Sequence, residues 1–268
     1  MPRGISRYDE AAFQGRLWTP AVDGRNIDLW FDVADIITIS CNASGVTDWK
    51  DKSGNNRNLT QGVSSQQPQF SPINFIGKPS ITFDGNDKLQ NPSAGALNVN
   101  NVTFITVIRF RTGSNVDVAI GLGPLGSAFP NQSRVLYNNA GGNLSFGAWA
   151  NDVTSGFSVD TDGKFNLFSC IQNGTAISFY KNGTADSTLP RTLASSPLAV
   201  STDRINLGDS ESNLDGFTGD LAEVLVFYSA QPYSYVSKVE GYLAWKWGLE
   251  ANLGSTHPFA SRPPTIGD

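Results

Sequence analysis

The stretch Gly216–Trp247 constrains the fold most, because its apolar period changes within a few residues. Its first half alternates with apolar residues on both faces, which predicts a strand that is covered on both sides. One face takes Leu221, Glu223, Leu225 and Phe227, and the other takes Ala222, Val224, Val226 and Tyr228. After Pro232, which suits a first helical turn, apolar residues recur every three or four positions at Val236, Val239, Leu243 and Trp247. We therefore expect a central strand that leads directly into a helix.

Composition places the rest of the chain in the all-β class. Only 16% of the 268 residues are charged, whereas the chain has 27 Gly, 16 Phe and 6 Trp, which is typical of an aromatic core joined by many turns. The net charge is −5 and no basic stripe is present, so we expect no nucleic-acid partner. No apolar run approaches the ~18 residues of a membrane span, and the first residues lack the pattern of a secretory signal peptide.

Short alternating runs separated by polar turns predict many strands. Val102–Arg111 is apolar on both faces and is expected to be central, with Val116–Leu122 pairing beside it. The dipeptide Asn173-Gly174 between Lys164–Cys170 and Ala176–Lys181 is a strong hairpin signal. Together these runs predict an antiparallel sandwich of two sheets.

The two ends of the chain differ from this pattern. We expect a jelly-roll domain over residues 26–254, between an N-terminal arm (1–25) and a Pro-rich tail (255–268) that runs extended along the surface. The arm supplies four candidate assembly residues, Arg7, Phe13, Leu17 and Trp18. Their apolar side chains dock either on their own domain or on a neighbouring subunit, and the sequence leaves both alternatives open.

The chain contains two cysteines, Cys41 and Cys170. Both lie in apolar or strand-like contexts and they are far apart in sequence. The pattern favours two buried free thiols over a disulfide.

Several segments together resemble a known family. FDGNDKL, VTFITVIRF, KFNLFSCIQNGTAISFYKNG, INLG and FTGDLAEVLVF follow one another in the order of the laminin-G-like jelly roll of the concanavalin A-like lectin/glucanase superfamily. The ending EGYLAWKWGLEANLGSTHPF is similar to that of laminin-G-like domains in bacterial surface proteins and tailed-phage virion proteins. The resemblance covers residues 26–260 and implies a two-sheet antiparallel jelly-roll sandwich with one C-terminal helix. It implies little about activity, because this fold hosts many functions.

The residues do not supply the chemistry of the glucanase branch. That branch carries E-x-D-x-x-E on one strand, whereas here Glu223 is followed two residues later by Leu225. Glu211 and Asp215 lie four apart in a loop and do not match the motif. The single histidine, His257, has no nucleophile motif to partner it. We therefore expect no catalytic residues and no enzyme, and we interpret Glu223 as a structural carboxylate that meets an Arg or Lys.

Two candidate binding sites remain. Lectin-like domains hold calcium at the sandwich rim, and the densest acidic loop here offers Asp209, Glu211, Asn213 and Asp215. For sugar stacking the best candidates are Trp149 with Asn151 and Asp152, although a core position for Trp149 is favoured because large aromatic residues are more often buried. No other cofactor is expected.

These observations favour two functions. The first is a non-catalytic structural or adhesion protein, most plausibly a tailed-phage virion component (a capsid decoration or tail appendage) that forms homo-oligomers with other virion subunits. The alternative is a carbohydrate-binding module, with or without calcium, that binds cell-surface glycans from a virion or a bacterial cell surface.

Overall fold

The computed structural model describes residues 17–75, 77–94, 99–111, 115–123, 131–159, 163–198, 204–210 and 215–268. Within these residues the chain forms a β-sandwich with one α-helix, as the sequence predicts. The strands are β1 Leu29–Asp32, β2 Ile39–Cys41, β3 Val46–Trp49, β4 Leu59–Thr60, β5 Gln69–Phe75, β6 Lys78–Asp84, β7 Leu89–Asn91, β8 Val102–Phe110, β9 Asp117–Gly123, β10 Arg134–Asn138, β11 Asn143–Gly147, β12 Asp152–Ser158, β13 Asn166–Asn173, β14 Ala176–Lys181, β15 Thr184–Ala185, β16 Arg191–Thr192, β17 Arg204–Leu207 and β18 Thr218–Phe227. The helix α1 is Tyr233–Trp247.

The described strands form two antiparallel sheets. The first sheet has the order β15-β14-β13-β8-β18-β6-β5, with β1 added beside β18 and β16 beside β14. The second sheet has the order β12-β11-β10-β9-β17-β7-β4-β3-β2. About half of the strand pairs join strands that are not consecutive in the chain, such as β8 with β13 and β18. The predicted two-sheet antiparallel sandwich is confirmed.

The core lies between the two sheets and is largely aromatic. Phe104 of the first sheet meets Phe146 of the second with ring centroids 6.5 Å apart. Phe217 stands between Phe110 and Phe83, at centroid distances of 5.3 and 5.7 Å. All five rings are fully buried, which explains the high Phe content of the chain.

Strand β18 is central, as expected, but it carries a β-bulge. Its register against β8 shifts between Leu221 and Glu223, so Ala222 is an extra residue without a partner on β8. The bulge places Leu221 on the core face and Glu223 on the outer face, opposite Val107. The expectation that Leu221 and Glu223 share a face is therefore wrong, because strict alternation fails where a bulge inserts one residue.

Helix α1 covers the outer face of the first sheet. It begins after Pro232 and ends at Gly248, whose φ of 74° suits the left-handed end of a helix. Trp247 points to the sheet, whereas the Trp245 indole nitrogen donates to the Phe259 carbonyl of the tail at 2.8 Å. Among the described residues, no helix has the length and apolarity needed to span a membrane.

Three further expectations are corrected. Strand β9 pairs with β10 and β17 in the second sheet, so Val116–Leu122 does not lie beside β8. Both cysteines are free, but only Cys170 is buried, and Cys41 is exposed on the edge strand β2. The tail is a series of turns rather than an extended segment, and it buries His257 and Phe259 against the domain.

Candidate functional site

The outer face of the second sheet contains a cavity of about 390 Å³, here called the Trp149 cavity. Its wall residues come from β9, β10, β12 and the loops that follow β11 and β17: Val116, Val118, Ser133, Val135, Tyr137, Trp149, Ala150, Asp152, Ser210 and Asp215. Leu136 and Phe146 of the same strands are buried in the core. Because side chains alternate along a strand, Val135 and Tyr137 face away from the core and into the cavity.

Trp149 is presented on a two-residue turn between β11 and β12. Gly147 pairs with Asp152, and the Ala148 amide donates to the Asn151 carbonyl at 3.3 Å, so only Trp149 and Ala150 form the loop. Their φ angles are 53° and 56°, in the left-handed region. Asn-Gly is the usual choice for such a turn, and a bulky residue there costs free energy. The turn holds a partly exposed indole over the cavity at the expense of backbone strain.

Tyr137 and Asp152 form a polar pair in the cavity. The Tyr137 hydroxyl lies beside the Asp152 carboxylate, and the two groups interact. Partial burial, then the nearby charge of Asp152, raises the pKa of the Tyr137 phenol well above its usual range. Partial burial also raises the pKa of Asp152, although hydrogen bonds from the Ala148 amide and Tyr137 oppose the effect. The pair therefore offers a carboxylate acceptor and a phenol oxygen to a ligand.

Gly147 keeps this part of the cavity open. A Cβ atom at this position would lie 2.7 Å from Val135 Cγ2 and 2.8 Å from Asp152 Oδ1. Any larger residue would displace one of these two side chains, so the shape of the cavity depends on glycine here.

Two further polar groups complete the wall. The Ser133 hydroxyl is buried and has no hydrogen-bond partner among the described residues. Asp215 follows β17. Burial and the charge of Asp209 raise the pKa of its carboxyl group, and a hydrogen bond from Ser210 opposes this effect. An unsatisfied hydroxyl and a carboxylate that is partly withdrawn from water are both groups that gain from a polar ligand.

The predicted sugar-binding residues separate in the structure. Trp149 and Asp152 line the cavity, so the preference for Trp149 in the core is wrong. Asn151 does not line it, because its side chain holds the 194–195 loop. Asn151 Nδ2 donates to the Ser195 carbonyl at 2.8 Å, and its Oδ1 accepts from the Ala194 amide at 3.0 Å.

Of the four predicted calcium residues, Asp209 and Asp215 lie among the described residues and contact each other. Asp209 Oδ1 accepts from the Ser210 and Asp215 amides, and its Oδ2 pairs with Lys88 at 3.2 Å. Asp215 belongs to the Trp149 cavity, whereas Glu211 and Asn213 lie outside the described residues. No group of three or more potential metal ligands occurs in the part of the chain that the structure describes.

Two of the predicted arm residues dock on their own domain. Trp18 is fully buried between Tyr235 and Tyr242 of α1, and its amide donates to the Pro264 carbonyl. Leu17 forms an isolated bridge with Thr265. Leu17 and Trp18 therefore dock on their own domain, which is the first of the two alternatives that the sequence left open. Arg7 and Phe13 lie outside the described residues.

Glu223 lies under α1 on the first sheet, away from the Trp149 cavity. Its carboxylate accepts from Trp30 Nε1 at 2.8 Å, Trp247 Nε1 at 2.7 Å, Lys246 Nζ at 2.6 Å and the Tyr242 hydroxyl at 3.3 Å. Lys246 also pairs with Asp32 at 2.7 Å. The structure confirms that the fully buried Glu223 carboxylate meets a Lys.

The sequence reasoning missed Tyr137, Ser133 and Gly147. Tyr137 and Val135 alternate on β10, and that pattern alone indicates a common face. Nothing in the sequence shows that this face lies against Trp149 and Asp215, because β10, the β11–β12 turn and the loop after β17 meet only in the folded sheet.

A family model described as the concanavalin A-like lectin/glucanases superfamily, of laminin-G type, matches residues 83–232, which is more than half of the chain. A search of the curated proteins gave no significant match. The confirmed jelly-roll fold and this match agree, since residues 83–232 span β7 to β18 and both sheets.

Solved structures resemble the fold at low identity. One is domain 4 of AbnA, a GH43 extracellular arabinanase from Geobacillus stearothermophilus, in complex with arabinotriose (TM-score 0.57, 12% identity, 80% of this chain and 98% of that one). A mutant GH54 α-L-arabinofuranosidase soaked with 4-nitrophenyl α-L-arabinofuranoside has a TM-score of 0.54 at 13% identity, over 75% of this chain and 51% of that one. Trypanosoma rangeli sialidase in complex with the inhibitor DANA has a TM-score of 0.53 at 12% identity, over 85% and 35%. This chain thus spans about half of the arabinofuranosidase and about a third of the sialidase.

These comparisons contradict the prediction that the chain is not an enzyme. The structures that share its fold are an arabinanase domain, an arabinofuranosidase and a sialidase, which are enzymes or parts of enzymes. The missing E-x-D-x-x-E motif excludes one glucanase arrangement, and it was wrong to extend that exclusion to enzymes in general.

Proposed function

This chain belongs to the concanavalin A-like lectin/glucanases superfamily, and we propose that it binds a saccharide in the Trp149 cavity. The observation that carries the proposal is the strained two-residue turn that holds the Trp149 indole over Tyr137 and Asp152. A strained turn that presents a large aromatic residue to solvent has no stabilising purpose, so its benefit lies in a ligand.

The chemistry of the wall suits a sugar ring. An indole face packs against the apolar C–H face of a pyranose or furanose, while the polar groups around it bind the hydroxyls. Asp152 and Asp215 accept hydrogen bonds, and the Ser133 hydroxyl both donates and accepts. A mostly apolar cavity with a few convergent polar groups is the usual form of a small-molecule site.

The relatives support the same class of ligand. The arabinanase domain was solved with arabinotriose and the arabinofuranosidase with an arabinofuranoside. Their fold-level similarity supports a saccharide for this chain as a proposal, in a setting of carbohydrate-active proteins. It does not select the sugar.

A glycan array followed by calorimetry tests the proposal. We expect the unchanged chain to bind at least one neutral or charged oligosaccharide, Trp149→Ala to abolish binding, and Trp149→Phe to retain part of it. Ile37→Ala, which removes an 82% exposed apolar side chain elsewhere, is the control and leaves affinity unchanged. The absence of binding to any glycan, with and without EDTA, would overturn the proposal. A loss of binding in EDTA alone would assign calcium a role.

A place in a larger assembly is a second proposal, and the ending EGYLAWKWGLEANLGSTHPF supports it because it is similar to virion and surface proteins. We propose that the chain is displayed on a tailed-phage particle or a bacterial surface, where its saccharide site reaches glycans. Sedimentation of the full chain, alone and with particles, is the measurement. Co-sedimentation or a defined homo-oligomer supports it, and a monomer that binds no particle contradicts it.

A further inference from the structure

The Trp149 cavity also indicates the charge of its ligand. Resting on the proposed saccharide site, we propose that the preferred saccharide carries a free ammonium group, as an amino sugar does. The proposal depends on which charges line the cavity, which charges are absent from it, and which aromatic faces it presents.

The cavity has two carboxylates and no basic residue in its wall. Asp152 and Asp215 are its only ionisable carboxyl groups among the described residues, and no Lys or Arg lines it there. The segments left out of the description after residue 16 contain no Lys or Arg either. Among the described residues, a ligand in this cavity therefore meets negative charge without a balancing cation in the wall.

Several other carboxylates in this protein are paired with cations. The pairs are Asp32 with Lys52 and Lys246, Asp186 with Arg191, and Asp220 with Arg109 and Arg111. Asp152 and Asp215 differ, because burial raises the pKa of both and no Lys or Arg acts to lower it. A bound ammonium would supply the missing countercharge.

Two basic residues that adjoin the wall are directed elsewhere, and Arg204 of β17 does not line the cavity. Arg134 adjoins Ser133, but it alternates onto the opposite face of β10, where its guanidinium donates to Gln172 of the first sheet at 3.1 Å and to the Leu198 carbonyl at 2.8 Å. Lys88 is held by Asp209 at 3.2 Å. Neither cation is positioned to neutralise the cavity.

The aromatic residues favour the same ligand charge. Trp149 and Tyr137 line the cavity together with the two carboxylates. An ammonium near an indole face is attracted by the ring quadrupole, and tryptophan is the strongest of the aromatic side chains in this respect. The buried Ser133 hydroxyl, which has no partner among the described residues, is a separate sign that a polar ligand group approaches the wall.

Calorimetry with three matched trisaccharides tests the inference at about pH 6, where the amine is protonated. The probes are β-1,4-linked glucosamine, N-acetylglucosamine and glucose trimers, which share a linkage and differ at one substituent. We expect the glucosamine trimer to bind about tenfold more tightly than the other two, and this advantage to shrink as salt is added.

Asp152→Asn and Asp215→Asn are measured separately, so that the inference is still tested if only one of the two variants folds. Each is expected to remove most of the advantage of the glucosamine trimer, whereas Asp48→Asn, a half-buried carboxylate on β3, retains it. Equal or weaker binding of the glucosamine trimer overturns the inference and leaves the saccharide site standing. Failure of every saccharide on the array overturns the proposed function itself.

Discussion

Glu223 shows how a single carboxylate can be fully buried in this protein when hydrogen-bond donors surround it. It has four donors around its two oxygens, and two of them are indole N–H groups that can donate but not accept. Burial, followed by the charge of Asp32, raises the pKa of Glu223, and Lys246 opposes that effect. The donor set fits an ionised carboxylate that joins α1 to β1 and β18.

Replacing Glu223 by Gln is expected to lower the free energy of unfolding by about 3 kcal/mol. The amide group would set N–H against N–H at one of the two oxygen positions and leave Lys246 with Asp32 alone. Urea unfolding measures the change, with Asp48→Asn as the control. Saccharide affinity should stay constant, since Glu223 lies on the other sheet. A stability change below about 1 kcal/mol, or a loss of binding equal to that of Trp149→Ala, would show that Glu223 has a different role.

Asp220 is a second buried carboxylate, and its pKa is shifted in the opposite direction. Burial opposes its ionisation, but hydrogen bonds from Arg109, Thr82 and Arg111 outweigh burial and lower the pKa of Asp220 below its usual 3.8. Arg109 Nε and Arg111 Nε lie 2.7 and 2.8 Å from its carboxylate. Because the folded-state pKa is depressed, this stabilisation is complete above the unfolded-state pKa and is lost as pH falls through the folded-state value.

Asp220→Asn should therefore lower the free energy of unfolding by about 3 kcal/mol at neutral pH. The difference from the unchanged chain should narrow only below about pH 4, as the unchanged chain becomes protonated. Chemical unfolding at a series of pH values measures both effects. A difference that narrows between pH 7 and 5 would contradict the assignment, because the lowered pKa permits no titration of Asp220 in that range.

At the scale of elements, the turn of the β11–β12 hairpin lowers stability through backbone strain and presents the Trp149 indole at the cavity. A two-residue turn with both residues at positive φ is normally Asn-Gly, and here it is Trp149-Ala150. The hydrogen bonds of Asn151 to the 194–195 loop fix the end of the turn, so the strain cannot relax by fraying. The neighbouring packing thus forces the indole to stay over the cavity.

The double substitution Trp149→Asn with Ala150→Gly is expected to raise the free energy of unfolding by about 1–2 kcal/mol and to abolish saccharide binding. Thermal unfolding and calorimetry measure the two effects on the same protein. Asn56→Gly, at an exposed position with a φ of 57°, is the control, and it should leave affinity unchanged. If the double variant kept its saccharide affinity, Trp149 would not be the binding platform. If its free energy of unfolding fell, the turn of the unchanged chain would not be strained.

At the scale of the whole molecule, both ends of the described chain pack against α1. Phe259 packs closely against Gly241 of the helix, since a Cβ atom added to Gly241 would lie 2.6 Å from Phe259 Cβ. His257 Nε2 lies 3.3 Å from the Glu240 carboxylate. The His257 ring also accepts from the Phe259 amide through Nδ1, so Nε2 carries the proton that Glu240 accepts. The tail thereby covers one side of the helix and the Trp18 backbone.

Removing residues 255–268 should lower the melting temperature by roughly 10 °C. The truncation leaves Glu240 buried without His257 and exposes the indole of Trp245. Calorimetric melting measures the shift, and a chain that ends at Ile266 is the control because it loses only the exposed contacts of Asp268 with Arg262, Thr265 and Lys238. A shift smaller than about 2 °C would show that the tail does not contribute to the fold.

Much of this protein follows from the sequence alone. Alternation and turn chemistry determine the β-strands, the Asn173-Gly174 hairpin and the change of period after Pro232, because these patterns depend on residues that are near one another in the chain. Aromatic content determines that the sandwich has a large core. The Glu223 and Leu225 pair was also sufficient to exclude the E-x-D-x-x-E arrangement, although not every enzyme.

Only the tertiary structure decided the rest. The bulge at Ala222, the pairing of β9 with β17 and the docking of Trp18 depend on partners that are far apart in the chain, which no local pattern encodes. The Trp149 cavity is the clearest case, because Tyr137, Trp149 and Asp215 become neighbours only when three chain segments meet on one face. The sequence identified residues capable of binding, and the long-range strand order determined which of them share a site.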